Sequence, residues 1–158
     1  MADVCKVCKA ELINGEGHTL SAASKNFEVT VEDMPVRRCP KGHEGLYWFD
    51  GLFGTAFTNS LVEGGLMARG RRGLTLRLMH YCPACGERLG KEKAPHEFRF
   101  DFATKNSAGR RYRVTLKAPA LYCARCDTHL MPYDKGHLDA YYMELHDLVL
   151  DALRAEYK

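Results

Sequence analysis

Cys82-Pro-Ala-Cys85, followed after 37 intervening residues by Cys123-Ala-Arg-Cys126, decides how the rest of this 158-residue chain is read. Two residues between cysteines let the backbone curl until both sulfurs point at one position ~2.3 Å away, and two such turns make a complete tetrahedral thiolate set. The earlier half of the chain carries the same arrangement. Cys5-Lys-Val-Cys8 is followed after 30 residues by Cys39-Pro-Lys-Gly-His43. The likeness extends beyond the ligands: Phe27-Glu-Val29-Thr-Val31, Pro35 and Cys39 return in the same order as Tyr112-Arg-Val114-Thr-Leu116, Pro119 and Cys123. Four features in one order at nearly equal offsets mark a duplicated unit, and a repeat governs the fold more than any local signal does.

Within the second unit Phe98, Phe100 and Phe102 alternate with polar residues, a polar stretch runs from Thr104 to Gly109, and Tyr112, Val114 and Leu116 alternate again. Period-two apolar residues on both sides of a turn predict an antiparallel hairpin with one buried face. Thr19–Ala22 and Phe27–Val31 around Ser24–Asn26 predict its counterpart in the first unit. Cysteine turns at the end of a small sheet describe a zinc ribbon. Gly86 suits the left-handed backbone that follows such a turn, whereas Lys9 in its place predicts a more strained or differently shaped one.

A helix is expected after each ribbon. Asp50 is positioned to cap Gly51–Glu63, with Leu52, Phe53, Ala56, Phe57 and Leu61 on one side and Gly64-Gly65 as the stop. A second amphipathic helix is predicted over 137–156, where Leu138, Tyr141, Tyr142, Leu145, Leu148, Val149 and Leu153 recur at three and four. The fold class is therefore α+β: ribbon and helix over 1–63, a flexible Gly/Arg-rich joint over 64–73, and a second ribbon and helix over 74–158. Leu74, Leu76 and Leu78 alternate like a further strand entering the second ribbon.

Seven cysteines without an apolar signal segment read as metal ligands in a reducing, cytoplasmic setting rather than as disulfides, and no apolar run is long enough to span a membrane. The expected cofactor is two structural Zn2+ ions, one on Cys82, Cys85, Cys123 and Cys126, the other on Cys5, Cys8, Cys39 and His43. His43 lies four residues after Cys39 where the second unit has a cysteine after three, so one extra residue must fit into that turn. Closed four-ligand sites leave no position for water, and the seven committed cysteines leave no free nucleophile. Ser, His and Asp residues show no catalytic spacing, so no enzyme is expected. An open zinc position, with water in place of His43, is the enzymatic alternative.

The formal net charge of +3 vanishes once seven thiolates hold two divalent ions, so bulk charge does not argue for nucleic acid. Its distribution is uneven. Residues 69–117 carry 13 Lys/Arg against 4 Asp/Glu, between acidic segments on both sides. Phosphate binding through Arg69, Arg71, Arg72, Arg77, Arg110 and Arg111 is one reading, and an internal charge match is the other.

The first ~46 residues resemble the YgiT-type, MqsA-like bacterial zinc-finger family in Cys5/Cys8, Val31, Pro35, Cys39 and Gly42-His43-Glu44, with His43 where the family has a last cysteine. The second unit is similar more loosely. The resemblance implies a zinc half that binds a toxin. The helix-turn-helix half that reads operator DNA in that family is replaced here by a second ribbon and a long helix. The expectation is a non-enzymatic adaptor with a protein partner, using the apolar sides of the helices as contact surface or for homodimerisation through the C-terminal helix. If they do not serve contacts, each helix is expected to cover its own ribbon's hairpin. The alternative function is a nucleic-acid-binding zinc ribbon.

Overall fold

The computed structural model of the protein describes residues 4–43, 45, 50–72, 78–105, 107, 109–132 and 137–156. The fold is α+β, built of small antiparallel sheets and two helices. In the first unit β1 (Ile13–Asn14), β2 (His18–Ala23), β3 (Glu28–Met34) and β4 (Arg37–Arg38) are followed by α1 (Phe53–Glu63). Then come β5 (Arg69–Arg72), β6 (Leu78–Tyr81), β7 (Gly90–Lys91), β8 (His96–Phe102), β9 (Tyr112–Ala118), β10 (Leu121–Cys123) and β11 (Thr128–Leu130), before α2 (His137–Glu156) closes the chain. Both hairpins form where apolar alternation places them, β2–β3 and β8–β9.

The hairpins do not remain in separate sheets. β3 pairs antiparallel with β9, giving one four-stranded sheet in the order β2-β3-β9-β8. Thr30 lies opposite Thr115, Val29 opposite Leu116 and Val31 opposite Val114. Thr30 and Thr115 are equivalent in the repeat, and the flanking pairs exchange equivalent positions. The seam thus carries an approximate two-fold axis, as in an isologous dimer interface. The small ladders obey the same symmetry: Ile13 faces Arg38 as its repeat counterpart Gly90 faces Tyr122. Phe27 to Pro35 is one residue longer than Tyr112 to Pro119. That excess is taken up at Asp33, whose φ of 61° lies in a bulge where the β2–β3 register shifts.

The helices are exchanged between units, a correction to the expectation that each covers its own hairpin. α1 lies on β8, with Phe53 4.9 Å from Tyr112 and 5.4 Å from Phe102, and Phe57 5.8 Å from Phe100 (ring centroids). α2 packs on β2, where Glu144 accepts hydrogen bonds from Ser24 Oγ (2.8 Å) and Asn26 Nδ2 (3.0 Å) and Glu156 meets His18. Phe53, Phe57 and Leu61 of α1 and Leu145, Val149 and Leu153 of α2 therefore share one core with Leu20, Val31, Phe98 and Leu116. The apolar sides expected to be contact surfaces are used inside the fold. The side chains of Tyr141 and Tyr142 lie outside those described.

α1 begins at Phe53, two residues later than predicted, and its N-cap residue Leu52 makes no side-chain cap. Asp50 has another task. Fully buried, it accepts from Leu52 N–H (3.0 Å), Thr104 Oγ1 (2.5 Å) and the Tyr112 hydroxyl, tying the lead into α1 to the second unit. The stretch 64–73 is also not a free joint. Met131 N–H donates to Leu66 O (2.7 Å), Ala68 N–H donates to Met131 O (2.9 Å), and β5 pairs with β6 from Arg69↔Tyr81 to Arg72↔Leu78. Leu74 and Leu76 lie outside the described residues.

Candidate metal centres

Each centre is assembled from two short turns. Cys5 and Cys8 lie between Val4 and Glu11, which bridge, and Cys82 and Cys85 lie between Tyr81 and Arg88, which bridge in the same way. The turns share their hydrogen bonds: Lys9 N–H reaches Cys5 O and Gly86 N–H reaches Cys82 O, both at 2.9 Å. They also share the left-handed residue, with φ of 60° at Lys9 and 77° at Gly86. Lys9 therefore keeps the shape glycine would give, at the steric cost that a Cβ brings in that region. The second pair of ligands follows β4 in the first centre and the β10 strand end in the other.

The sheet brings both sets together. The donor atoms of Cys5, Cys8, Cys39 and His43 lie within 4.8 Å of one another, as do those of Cys82, Cys85, Cys123 and Cys126. With metal–sulfur bonds of ~2.3 Å and a metal–nitrogen bond of ~2.0 Å, tetrahedral geometry sets sulfur–sulfur edges near ~3.8 Å and nitrogen–sulfur edges near ~3.5 Å. Cys82–Cys126 is 3.9 Å and Cys85–Cys123 3.5 Å, while Cys8–Cys39 is 3.5 Å. His43 turns Nδ1 to the cluster, 3.4 Å from Cys39 and 3.8 Å from Cys5. These separations are far beyond a ~2.05 Å disulfide bond. The extra residue before His43 is accommodated by a turn in which Gly42 N–H meets Cys39 O (3.0 Å) at a φ of 77°.

The thiols are electrostatically unequal. Burial pushes the Cys82 thiol up, but the amides of Cys85 and Ala84 outweigh it and bring it down to about 7. Cys126 is pushed up to about 12, first by its hydrogen bond with Cys85 and then by burial. In the first centre burial opposes the Lys41 amide and His43, which together lower Cys39, while the Cys39 contact raises His43. Each cage thus holds a thiol shifted toward the thiolate beside one shifted the other way, Cys39 beside Cys8 and Cys82 beside Cys85 and Cys126. A divalent ion takes the place of the thiol protons, so both donor sets fit a metal. Cys5, Cys39, Cys82 and Cys123 are buried, and the remaining ligands are half-buried.

Of the proposed phosphate-binding arginines, Arg111 donates to Asp101 (2.8 Å), which holds that carboxyl below its usual range. Arg110 and Arg111 line a cavity shared with Glu16 and Asp33. Arg69, Arg71 and Arg72 lie on β5 with side chains outside those described, and Arg77 lies outside the described residues. Part of the basic stretch is matched by acids, Lys117 with Glu28 (3.3 Å) and Arg113 with Asp33 (2.8 Å) across the β3–β9 seam and Arg99 with Glu97 (2.7 Å) along β8. Phe98 and Tyr112 are buried, so they offer no stacking surface. His129 stacks on His96 at 3.8 Å and lies 3.5 Å from Glu92, and this imidazole pair had no signal in the spacing. Among the described residues, no helix is long and apolar enough to cross a membrane. No family model, curated protein or solved structure matches the chain.

Proposed function

We propose that this is a non-enzymatic zinc protein in which two Zn2+ ions close structural ribbons and the surface outside them binds a protein partner. The observation that carries the reading is the donor set itself: four sulfurs in one cage, and three sulfurs with one imidazole nitrogen in the other, each at separations that suit a tetrahedral ion, with no fifth donor grouped beside them among the described residues. Thiolate-rich tetrahedral sites favour zinc, and filled ones have no place for a reacting water.

The partner surface is assigned to the first ribbon. Among the described residues, the exposed large apolar side chains are Val4, Val7, Ile13, Leu52 and Met143, and three of these stand on that ribbon. Scattered single apolar side chains are ordinary on a surface, whereas several gathered on one small element suit a contact surface. The same ribbon carries the resemblance to MqsA-like proteins, so an antitoxin-like contact with a toxin is the form of partnership it suggests. Reduced thiols in both cages fit a cytoplasmic setting.

Elemental analysis of the purified chain tests the metal, with two zinc ions per molecule expected. Cobalt exchange should give the absorption of two tetrahedral thiolate sites. His43→Ala should lose one ion and retain the other. One ion or none in the native chain, or a water-bearing cobalt spectrum, refutes the reading. Val7→Asp/Ile13→Asp should abolish partner capture from the native host with both ions retained, and undiminished capture would remove the partner surface from this ribbon.

A further inference from the structure

The pseudo-symmetry provides an internal control, because the two ribbons share the shape of the first ligand turn and the register of the small ladder beside it and differ elsewhere. One difference is concentrated at a cleft of about 520 Å3 beside the second centre, between β6 and β7. That volume lies within the roughly 300–1,000 Å3 typical of ligand pockets. It is lined by the apolar Met79, Leu89 and Leu121, by the cations Arg88 and Lys91, and by His80 and Gly90, with no carboxylate among the described lining residues. Neither cation has a carboxylate partner among the described ion pairs, unlike Arg99, Arg111, Arg113 and Lys117 on the sheet. A Cβ built on Gly90, which lines the cleft, meets nothing within 4 Å, so a larger side chain there has room to extend.

The first ribbon carries different residues at the equivalent positions. Glu11 stands where the second has Arg88, Ile13 where it has Gly90, and Asn14 where it has Lys91. Ile13 is 53% exposed. Three neighbouring changes, each toward cation or open space, separate two copies that otherwise keep the same frame.

We propose that this cleft binds single-stranded nucleic acid, with phosphates on Arg88 and Lys91 and a base against Met79, Leu89 and Leu121. Unpaired cations beside apolar side chains match a nucleotide, which presents a flat apolar face next to an anion. The binding goes beyond the protein contact assigned to the first ribbon, and the two are separable because they use different residues.

The test is fluorescence anisotropy of the zinc-loaded full chain with labelled oligothymidylate and oligouridylate at low salt. Binding is expected, weakening steeply with salt. Arg88→Glu/Lys91→Glu should weaken it at least ~10-fold and reduce the log–log salt slope by about 1.4, since each phosphate contact to a single strand contributes about 0.7. Gly90→Ile, which installs the first ribbon's residue and leaves charge unchanged, should weaken it by a similar factor with two zinc ions and the circular dichroism spectrum retained. Arg99→Gln should change it less than twofold. No binding at low salt, binding insensitive to Gly90→Ile, or equal competition by polyglutamate would each overturn the assignment, the last by identifying an acidic protein ligand instead.

Discussion

Asp50→Ala is the substitution that most directly tests whether the two units fold as one. Asp50 precedes the helix of the first unit, yet Thr104 and Tyr112, which donate to its carboxyl, belong to the second. Removing the carboxyl deletes both of those bonds and the one from Leu52 N–H. Each of the three bonds contributes about 1 kcal/mol net. The expected loss is about 3 kcal/mol, a large share of a small domain's stability. Tyr112→Phe removes one of them and should cost about 1 kcal/mol. Because that bond is lost in both single variants, the double variant should be about 1 kcal/mol more stable than the sum of the single losses predicts. Urea unfolding of the zinc-loaded protein, followed by circular dichroism with zinc content measured in parallel, provides all four corners of the cycle. A loss below about 1 kcal/mol for Asp50→Ala, or strict additivity, would refute the claim that this carboxyl couples the halves.

Reversing the seam with Glu28→Lys and Glu32→Arg sets like charges opposite Lys117 and Arg113; the swing is about 2 kcal/mol in low-salt thermal or urea unfolding, and adding Arg113→Glu/Lys117→Glu should restore most of it. Glu144 is held below its ordinary value of 4.5 by the bonds from Asn26 and Ser24. Its stabilising contribution is therefore complete above the unfolded carboxyl value and lost as pH falls through the lower folded one; the stability difference between the native chain and Glu144→Gln should shrink over that acid range, as measured by urea unfolding at a series of pH values. Gly86→Ala places a Cβ at a φ of 77° and should cost about 1 kcal/mol in the same unfolding assay, with no loss of zinc.

Local patterns carried much of the architecture. Ligand spacing gave both cages, including His43, because metal geometry constrains neighbours along the chain. Alternation located both hairpins, and the three-and-four recurrence located α2 at His137–Glu156. What local patterns did not convey was which edge joins which. The β3–β9 seam and the α2–β2 contacts connect residues more than eighty positions apart and the α1 contacts residues more than forty apart, and an apolar helix face does not state which hairpin it will cover. Aromatic content was a usable signal: Phe53 and Phe57 found the Phe100, Phe102 and Tyr112 face rather than the smaller Leu20 and Ala22 face. Asp50 was read as a helix cap because Asp before an apolar run usually is one, and its long-range donors have no signature in spacing. The bulge at Asp33 was visible only as one surplus residue between Phe27 and Pro35.

The seam also explains why duplication can fix a single arrangement. Glu28 faces Lys117 and Glu32 faces Arg113, so β3 contributes acids and β9 contributes bases at the same repeat positions. Were β3 to pair with β3 of another copy about Thr30, Glu28 would face Glu32; β9 paired with itself about Thr115 would set Arg113 against Lys117. Like charges directly opposite destabilise a ladder by about as much as opposite charges stabilise it. Charge therefore favours the heterologous pairing within one chain over the two homologous pairings between chains, while the shared Val-Thr-Val/Leu core keeps the register. With the frame held by a pairing that tolerates only one partner, substitutions outside it carry little structural penalty. That freedom is what lets one ribbon carry Val4, Val7 and Ile13 outward and the other carry Arg88, Gly90 and Lys91, on turns whose backbone hydrogen bonds remain the same.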